Sequence, residues 1–136
     1  MVGNRWFKVD LHIHSTNSIC FTDNNVTPKQ WVLECKKKGL DCVALTDHNS
    51  GINIDEYKKA AKEYNLVLFP GVEVTCGENG THLLILFDVE DTSDVINDFL
   101  ISIGVKRNSF GNSKPGTTKT VLDVIQIANN RDKLVI

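Results

Sequence analysis

The chain has 136 residues, of which 41% are apolar and 24% charged, the profile of one soluble globular domain and not of a disordered or fibrous chain. Its formal net charge of -2 excludes a bulk attraction to nucleic acid or to anionic membranes. No apolar run is long enough to span a bilayer, and Met1–Trp6 lacks the apolar core of a signal peptide, so a cytoplasmic protein without a membrane partner is expected.

Residues 6–13 alternate and are rich in β-formers, which predicts a first strand ending at two histidines. Thr27-Pro28 is an N-cap followed by proline at the first helical position, and Trp31, Val32 and Cys35 continue a helical stripe that stops before Gly39. Residues 41–46 read as a short buried strand, followed by a polar turn at 47–51 and a helix over 55–64. Residues 66–74 form a third strand, 77–80 have turn chemistry, and 82–87 form a fourth strand as its hairpin partner.

The spacing of Val95, Ile96, Phe99, Leu100 and Ile103 predicts a helix over 93–103, capped by Thr92 or Ser93. The polar stretch 106–118 is a long loop. Its segment Gly111–Thr118 imitates a phosphate-binding loop, but Thr117 stands where the lysine must be and Pro115 removes a backbone donor. A helix over 119–130 leads into a strand that starts at 133–136. Strands alternating with helices predict an α/β fold with a largely parallel sheet and one hairpin, whose ligands gather at the carboxyl ends of the strands.

The polar residues fall at those ends. His12 and His14 are two residues apart on the first strand, so alternation sends both imidazoles to one face, where they can bind one ion. Asp47 and His48 follow the second strand. Glu73 lies near the end of the third, where a carboxylate can bridge two metals, and the hairpin brings His82 to face it. All four histidines of the chain thus converge with a Glu and an Asp. Imidazole and carboxylate together suit zinc, manganese or iron.

Asp10 is either a solvated strand-end acid or the partner that orients an imidazole through its second nitrogen. Ser15, Thr16 and Ser18 read as turn formers. Cys20, Cys35, Cys42 and Cys76 are irregularly spaced without a Cys-x-x-Cys pair, which predicts reduced thiols. Lys36–Lys38 and Lys58, Lys59 and Lys62 read as solvated helix faces.

The segments DLHIHS, ALTDHNS, FPGVEV and GTHLLIL, in this order and spacing, resemble the motifs of the PHP family, the polymerase and histidinol phosphatase metallohydrolases. The resemblance spans residues 9 to about 87. It implies a distorted barrel of seven β/α units with up to three metal ions at the strand ends. By the same resemblance His12 and His14 bind the first metal, Glu73 bridges the first and second, His82 binds the second and His48 the third. Asp47 is then a supporting acid, and Glu73, His48 and Asp47 carry catalysis.

Family members place an acid five residues after the second histidine, and here that position is Ile19. Asp23 or Cys20 substitutes, with Asp23 preferred because an oxygen donor suits a hydrolytic site. The family also draws on a later His and an Asp-x-His, whereas this sequence has no histidine after His82. The 136 residues therefore read as a single domain cut off after the fifth strand begins, completed by the rest of the barrel or by a larger host protein.

The expected chemistry is phosphoester hydrolysis by a metal-activated water. A phosphorylated small molecule is the first substrate class. Nucleic acid, cleaved by a 3′ exonuclease-type activity, is the second. A non-catalytic metal-binding module attached to a larger protein such as an ATPase is the third reading.

Overall fold

The computed structural model describes residues 4–77 and 79–136; Met1, Val2 and Gly3 at the amino terminus and Glu78 of the expected turn lie outside the described residues. Five strands, β1 (Val9–Ile13), β2 (Cys42–Leu45), β3 (Val67–Cys76), β4 (Thr81–Leu86) and β5 (Leu134–Val135), form one open sheet in the order β1-β2-β3-β4-β5. The pairs β1–β2 and β2–β3 are parallel, while β4 is antiparallel to both β3 and β5. Four strands therefore run one way, and the hairpin strand β4 alone is reversed.

Four helices connect them: α1 (Pro28–Lys37), α2 (Ile54–Glu63), α3 (Ser93–Ser102) and α4 (Val121–Asn129). Two begin as their local chemistry dictates. Thr27 and Gln30 close a reciprocal capping box on α1, and Thr120 and Asp123 do the same on α4, each satisfying amides that the first turn leaves unpaired. At α3, Thr92 occupies the cap position without bonding through its side chain. Ser93 instead donates its backbone amide and its hydroxyl to Asp55 of α2.

The core lies between the sheet and the helices. Val43 and Leu45 of β2, Leu68, Val72 and Val74 of β3 and Ile85 of β4 are buried there with Val32, Tyr57, Ile96 and Phe99. Alternation along β3 sends Phe69, Glu73 and Thr75 to the opposite face. That face carries a shallow apolar depression bordered by Val9, Leu11, Phe69, Leu86 and Leu134 at one end, and the polar cluster at the other. Among the described residues no helix is long and apolar enough to cross a membrane.

Three elements differ from the sequence expectation. The first strand starts at Val9, three residues later, because β1 has a partner on one side only and β2 begins opposite Val9, at Cys42. Trp6 is thereby left 93% exposed. The third strand runs two residues further, to Cys76, because the hairpin pairs it as far as Thr81.

The stretch 106–118 is more ordered than a free loop. It contains a 3-10 turn at Arg107–Ser109, and Thr117 bridges to Cys76 beside the end of β3. The Thr117 amide donates to the Thr75 carbonyl at 2.9 Å. Gly116 permits this approach, since a Cβ there would overlap that same carbonyl.

Candidate metal centre

The site begins with a β-bulge. Asp10 pairs with Val43, but the next registered pair is Ile13 with Leu45, so three steps of β1 face two of β2. The extra residue breaks the alternation between Asp10 and the histidines. Asp10 is left on the side of α1, where it borders a groove with Glu34, Cys35 and Lys38. The two imidazoles turn to the Glu73 face.

Beyond β2 the backbone continues alongside β3. The Glu73 amide donates to the Asp47 carbonyl and the Asn49 amide to the Glu73 carbonyl, which holds His48 directly beside Glu73. The 106–118 loop closes over this turn. Gly111 donates its amide to the His48 carbonyl, and the Asn49 side chain donates to the Asn112 carbonyl at 2.8 Å.

On β4, His82 pairs with Thr75, and Glu73 pairs with Leu84. His82 is thus a diagonal neighbour of Glu73 on one face of the hairpin, a spacing within reach of long side chains. Its Nδ1 lies 2.5 Å from Glu73 Oε1.

Four imidazoles surround this one carboxylate. His12 Nε2, His14 Nε2 and His48 Nδ1 lie 3.3, 3.2 and 3.0 Å from Glu73 Oε2. The rings form an arc, with successive centroids 5.1, 4.6 and 5.5 Å apart from His12 through His14 and His48 to His82. Among the described residues three groups have ligand atoms within 4.8 Å of one another: His12–His14–Glu73, His48–Glu73–His82 and His14–Cys20–His48. Glu73 belongs to two of them, so one carboxylate faces both sets of imidazoles.

Burial is the main reason that His14 and His48 have pKa values below the ordinary histidine value, against the pull of Glu73. For Glu73 burial acts in the opposite sense, but the hydrogen bond from His82 and the nearby His12 and His48 rings outweigh it, and its pKa lies below the usual carboxylate value. Near neutral pH the buried rings are neutral with lone pairs available, and the carboxylate is charged.

His48 Nδ1 and Glu73 Oε2 are both buried and make no hydrogen bond, although only 3.0 Å separates them. Their distance suits a bond and their directions do not. Each such orphaned atom costs roughly 1–3 kcal/mol, and a cation between convergent lone pairs relieves it. The donor set therefore fits zinc, manganese or iron.

Asp47 is only 3% exposed and is occupied by the loop that follows β1. Its Oδ1 accepts from the Ser15 amide at 2.6 Å and the Ser18 hydroxyl at 2.9 Å, and its Oδ2 accepts from the Ser15 hydroxyl at 2.5 Å. It faces the histidines through Ser18, without being a member of any clustered group.

Ser18 has one proton, which goes to Asp47. It must therefore accept from its other two neighbours, the His48 amide at 2.9 Å and His14 Nδ1 at 3.0 Å. His14 then carries its proton on Nδ1, and its lone pair on Nε2 points at the Glu73 cluster. Ser15 and Ser18 read as plain turn formers in sequence, and only their spacing, beside two histidines, was a signal of this role.

Asp10 Oδ1 accepts from the His12 backbone amide at 3.1 Å, not from an imidazole nitrogen. Asp23 accepts from the Asn25 amide at 3.0 Å in a turn ahead of α1 and is absent from the clustered groups, whereas Cys20 is in one. The turn at 18–21 bends Cys20 back toward the rings, while Asp23 is held in its own turn. Ile19 points outward, 69% exposed.

Supporting residues tune metal affinity by roughly 10–100-fold. Ser18→Ala is expected to weaken divalent-metal binding within that range while the far-ultraviolet circular dichroism stays that of the wild type. Calorimetric titration checks it.

The sequence model of the PHP domain family matches residues 10–126. A 5′-3′ exoribonuclease of Haemophilus influenzae is 38% identical over 73 residues, 54% of this chain and 25% of its own length. A PolC-type DNA polymerase III of Clostridium perfringens is 32% identical over 111 residues, 71% of this chain and 8% of its own. A two-domain protein of Bacteroides vulgatus, solved by crystallography and described as containing a predicted PHP-like metal-dependent phosphoesterase, shares the fold. Its TM-score is 0.62 over 95% of this chain and 34% of that one, at 20% identity. The chain spans less than half the length of the curated relatives it matches.

Proposed function

Since the chain belongs to the PHP domain family, we propose that it is a metal-dependent phosphoesterase whose centre is built on Glu73. The observation that carries this reading is the convergence of four imidazoles on one buried carboxylate. His12 and His14 would hold one ion with Glu73, and His82 a second on its other oxygen. His48 would serve a third ion, with Cys20. Bound there, divalent ions lower the pKa of a water and neutralise charge on phosphoryl oxygens.

The chain's own residues orient and insulate that chemistry. Asp47 is a positioning residue: through Ser18 it holds the His14 tautomer and the His48 backbone. The 106–118 loop covers the back of the His48 turn. Beside His12 and His14 an open groove of about 720 Å³ runs along α1, bordered by Phe21, Val26, Trp31 and Leu40, and it offers apolar room for the organic part of an ester.

Two substrate classes divide the reading, a phosphorylated small molecule and a nucleic-acid phosphodiester. The matches to an exoribonuclease and to a DNA polymerase favour the second, within a larger host protein. A cytoplasmic location is part of the same proposal. Turnover of a chromogenic phosphomonoester, a phosphodiester and single-stranded DNA and RNA, each with zinc, manganese and iron, tests it. Hydrolysis of any of them that chelator abolishes and metal restores supports the phosphoesterase, and the preferred ester selects the class. Full metal occupancy without turnover would instead make the chain a non-catalytic metal-binding module.

A further inference from the structure

We propose that the pocket between the 16–24 loop and the 110–112 turn is a nucleobase site, in which Phe110 stacks on the base and Asn112 reads its edge while the phosphate lies at the Glu73 cluster. This rests on the phosphoesterase reading above and deepens it to the recognition of the substrate. The pocket has a volume of about 320 Å³ and is bordered by Phe21, Phe110, Asn24 and Asn112. Among the described residues no charged side chain borders it, so it suits an uncharged polar ring and not the phosphate itself. Aromatic faces and neutral amides are the chemistry that takes a planar heterocycle, by stacking and by paired hydrogen bonds to its edge.

The amides differ in what they are free to do. Asn17, also at this pocket, spends its side chain on the loop: its Nδ2 donates to the Ser15 hydroxyl and the Ile52 carbonyl, and its Oδ1 accepts from Asn53. Asn112 is engaged through its backbone, the amide donating to the Ser109 carbonyl and the carbonyl accepting from the Asn49 side chain. Among the described residues its side chain makes no hydrogen bond, which leaves a donor and an acceptor free on a residue whose position is fixed. The two loops are held together by the Ile19 amide, which donates to the Gly111 carbonyl at 2.9 Å. Gly111 permits the approach, since a Cβ there would overlap the Asn17 carbonyl.

The pocket adjoins the metal centre. Ser18 borders it, and the Ser18 hydroxyl lies 3.0 Å from His14 Nδ1 and accepts from the His48 amide at 2.9 Å. Phe21 borders both this pocket and the groove beside His12 and His14. The sugar of a nucleotide bridges that step, with the base on one side of Phe21 and the phosphate on the other.

The test uses the metal-loaded chain and two non-hydrolysable ligands, the methylenephosphonates of adenosine 5′-monophosphate and of ribose 5-phosphate, titrated by calorimetry. The adenosine compound is expected to bind roughly 10–100-fold more tightly, the range of one base stacked on an aromatic ring. Phe110→Leu keeps an apolar side chain packed against the core and loses the ring, so it should remove most of that ratio and leave the ribose compound at its wild-type affinity. Phe110→Trp should keep or raise the ratio. Asn112→Ala should alter the preference between the adenosine and guanosine compounds without changing the ribose compound. Nuclear Overhauser effects should connect the adenine protons to the Phe110 ring. Equal affinities of the adenosine and ribose compounds for the metal-loaded wild type, or Phe110→Leu and Asn112→Ala chains that both behave as wild type, overturn the base pocket and leave the phosphoesterase standing. A wild-type chain that binds neither compound and has the metal content of Glu73→Gln overturns both.

Discussion

In the Glu73→Gln variant, added manganese is expected to leave the melting temperature unchanged, while the wild-type chain is stabilised by about 2.7 kcal/mol at a metal concentration one hundred times the dissociation constant. The substitution keeps the volume of the side chain and removes the charge. Glu73 lies in two of the three groups of ligand atoms, so one change withdraws the only carboxylate from both. It also leaves His12, His14, His48 and His82 facing a neutral amide, which cannot offset two divalent charges. Phosphoester turnover should fall to the metal-free background. Differential scanning calorimetry with and without metal, paired with elemental analysis, is the check. A Glu73→Gln chain that retains wild-type metal content would remove the central assignment.

The second large effect is expected at Asp47, and it falls on stability before it falls on chemistry. Asp47→Ala deletes the acceptor of the Ser15 amide, the Ser15 hydroxyl and the Ser18 hydroxyl in a place that solvent does not reach. Each buried donor left without a partner costs roughly 1–3 kcal/mol. Partial reorientation of the two hydroxyls recovers some of this, so a net loss of about 2–4 kcal/mol is expected. Urea denaturation of the metal-free chain measures it without the contribution of bound metal. A loss below about 0.5 kcal/mol, the range of an ordinary surface substitution, would show that the Asp47 network does not hold the loop. Asp47→Asn is expected to lie between the two, because an amide can accept from only one oxygen.

These two residues also separate what pattern reveals from what contact reveals. Glu73 was legible as a candidate ligand because it stands near the end of a long β-forming run, and the hairpin turn at 77–80 predicted its meeting with His82, nine positions further on. The meeting is diagonal, with His82 opposite Thr75, since the register is set by the pairing of Val72 with Ile85 and of Val74 with Leu83 on the core face. Asp47 was legible as a supporting acid through resemblance alone. Its partners were invisible because Ser15 and Ser18 lie about thirty residues away in sequence, and hydroxyls at that separation leave no local signature.

By itself the sequence determined the order of strands and helices, the capped start of α1 at Thr27-Pro28, the hairpin of β3 and β4, and the convergence of His12, His14, His48 and His82 with Glu73. These follow from hydrophobic period, capping chemistry and turn residues, all of which act over a few neighbouring positions. Only the tertiary structure decided the bulge between Asp10 and Ile13, which turns the imidazoles to the Glu73 face and leaves Asp10 beside α1. It alone decided that Cys20 joins the cluster while Asp23 closes a turn, and that the 106–118 loop is tied to His48 and Thr75. The reason is common to all three: each depends on the balance of burial and hydrogen bonding between segments distant along the chain, and that balance exists only once the segments are packed together.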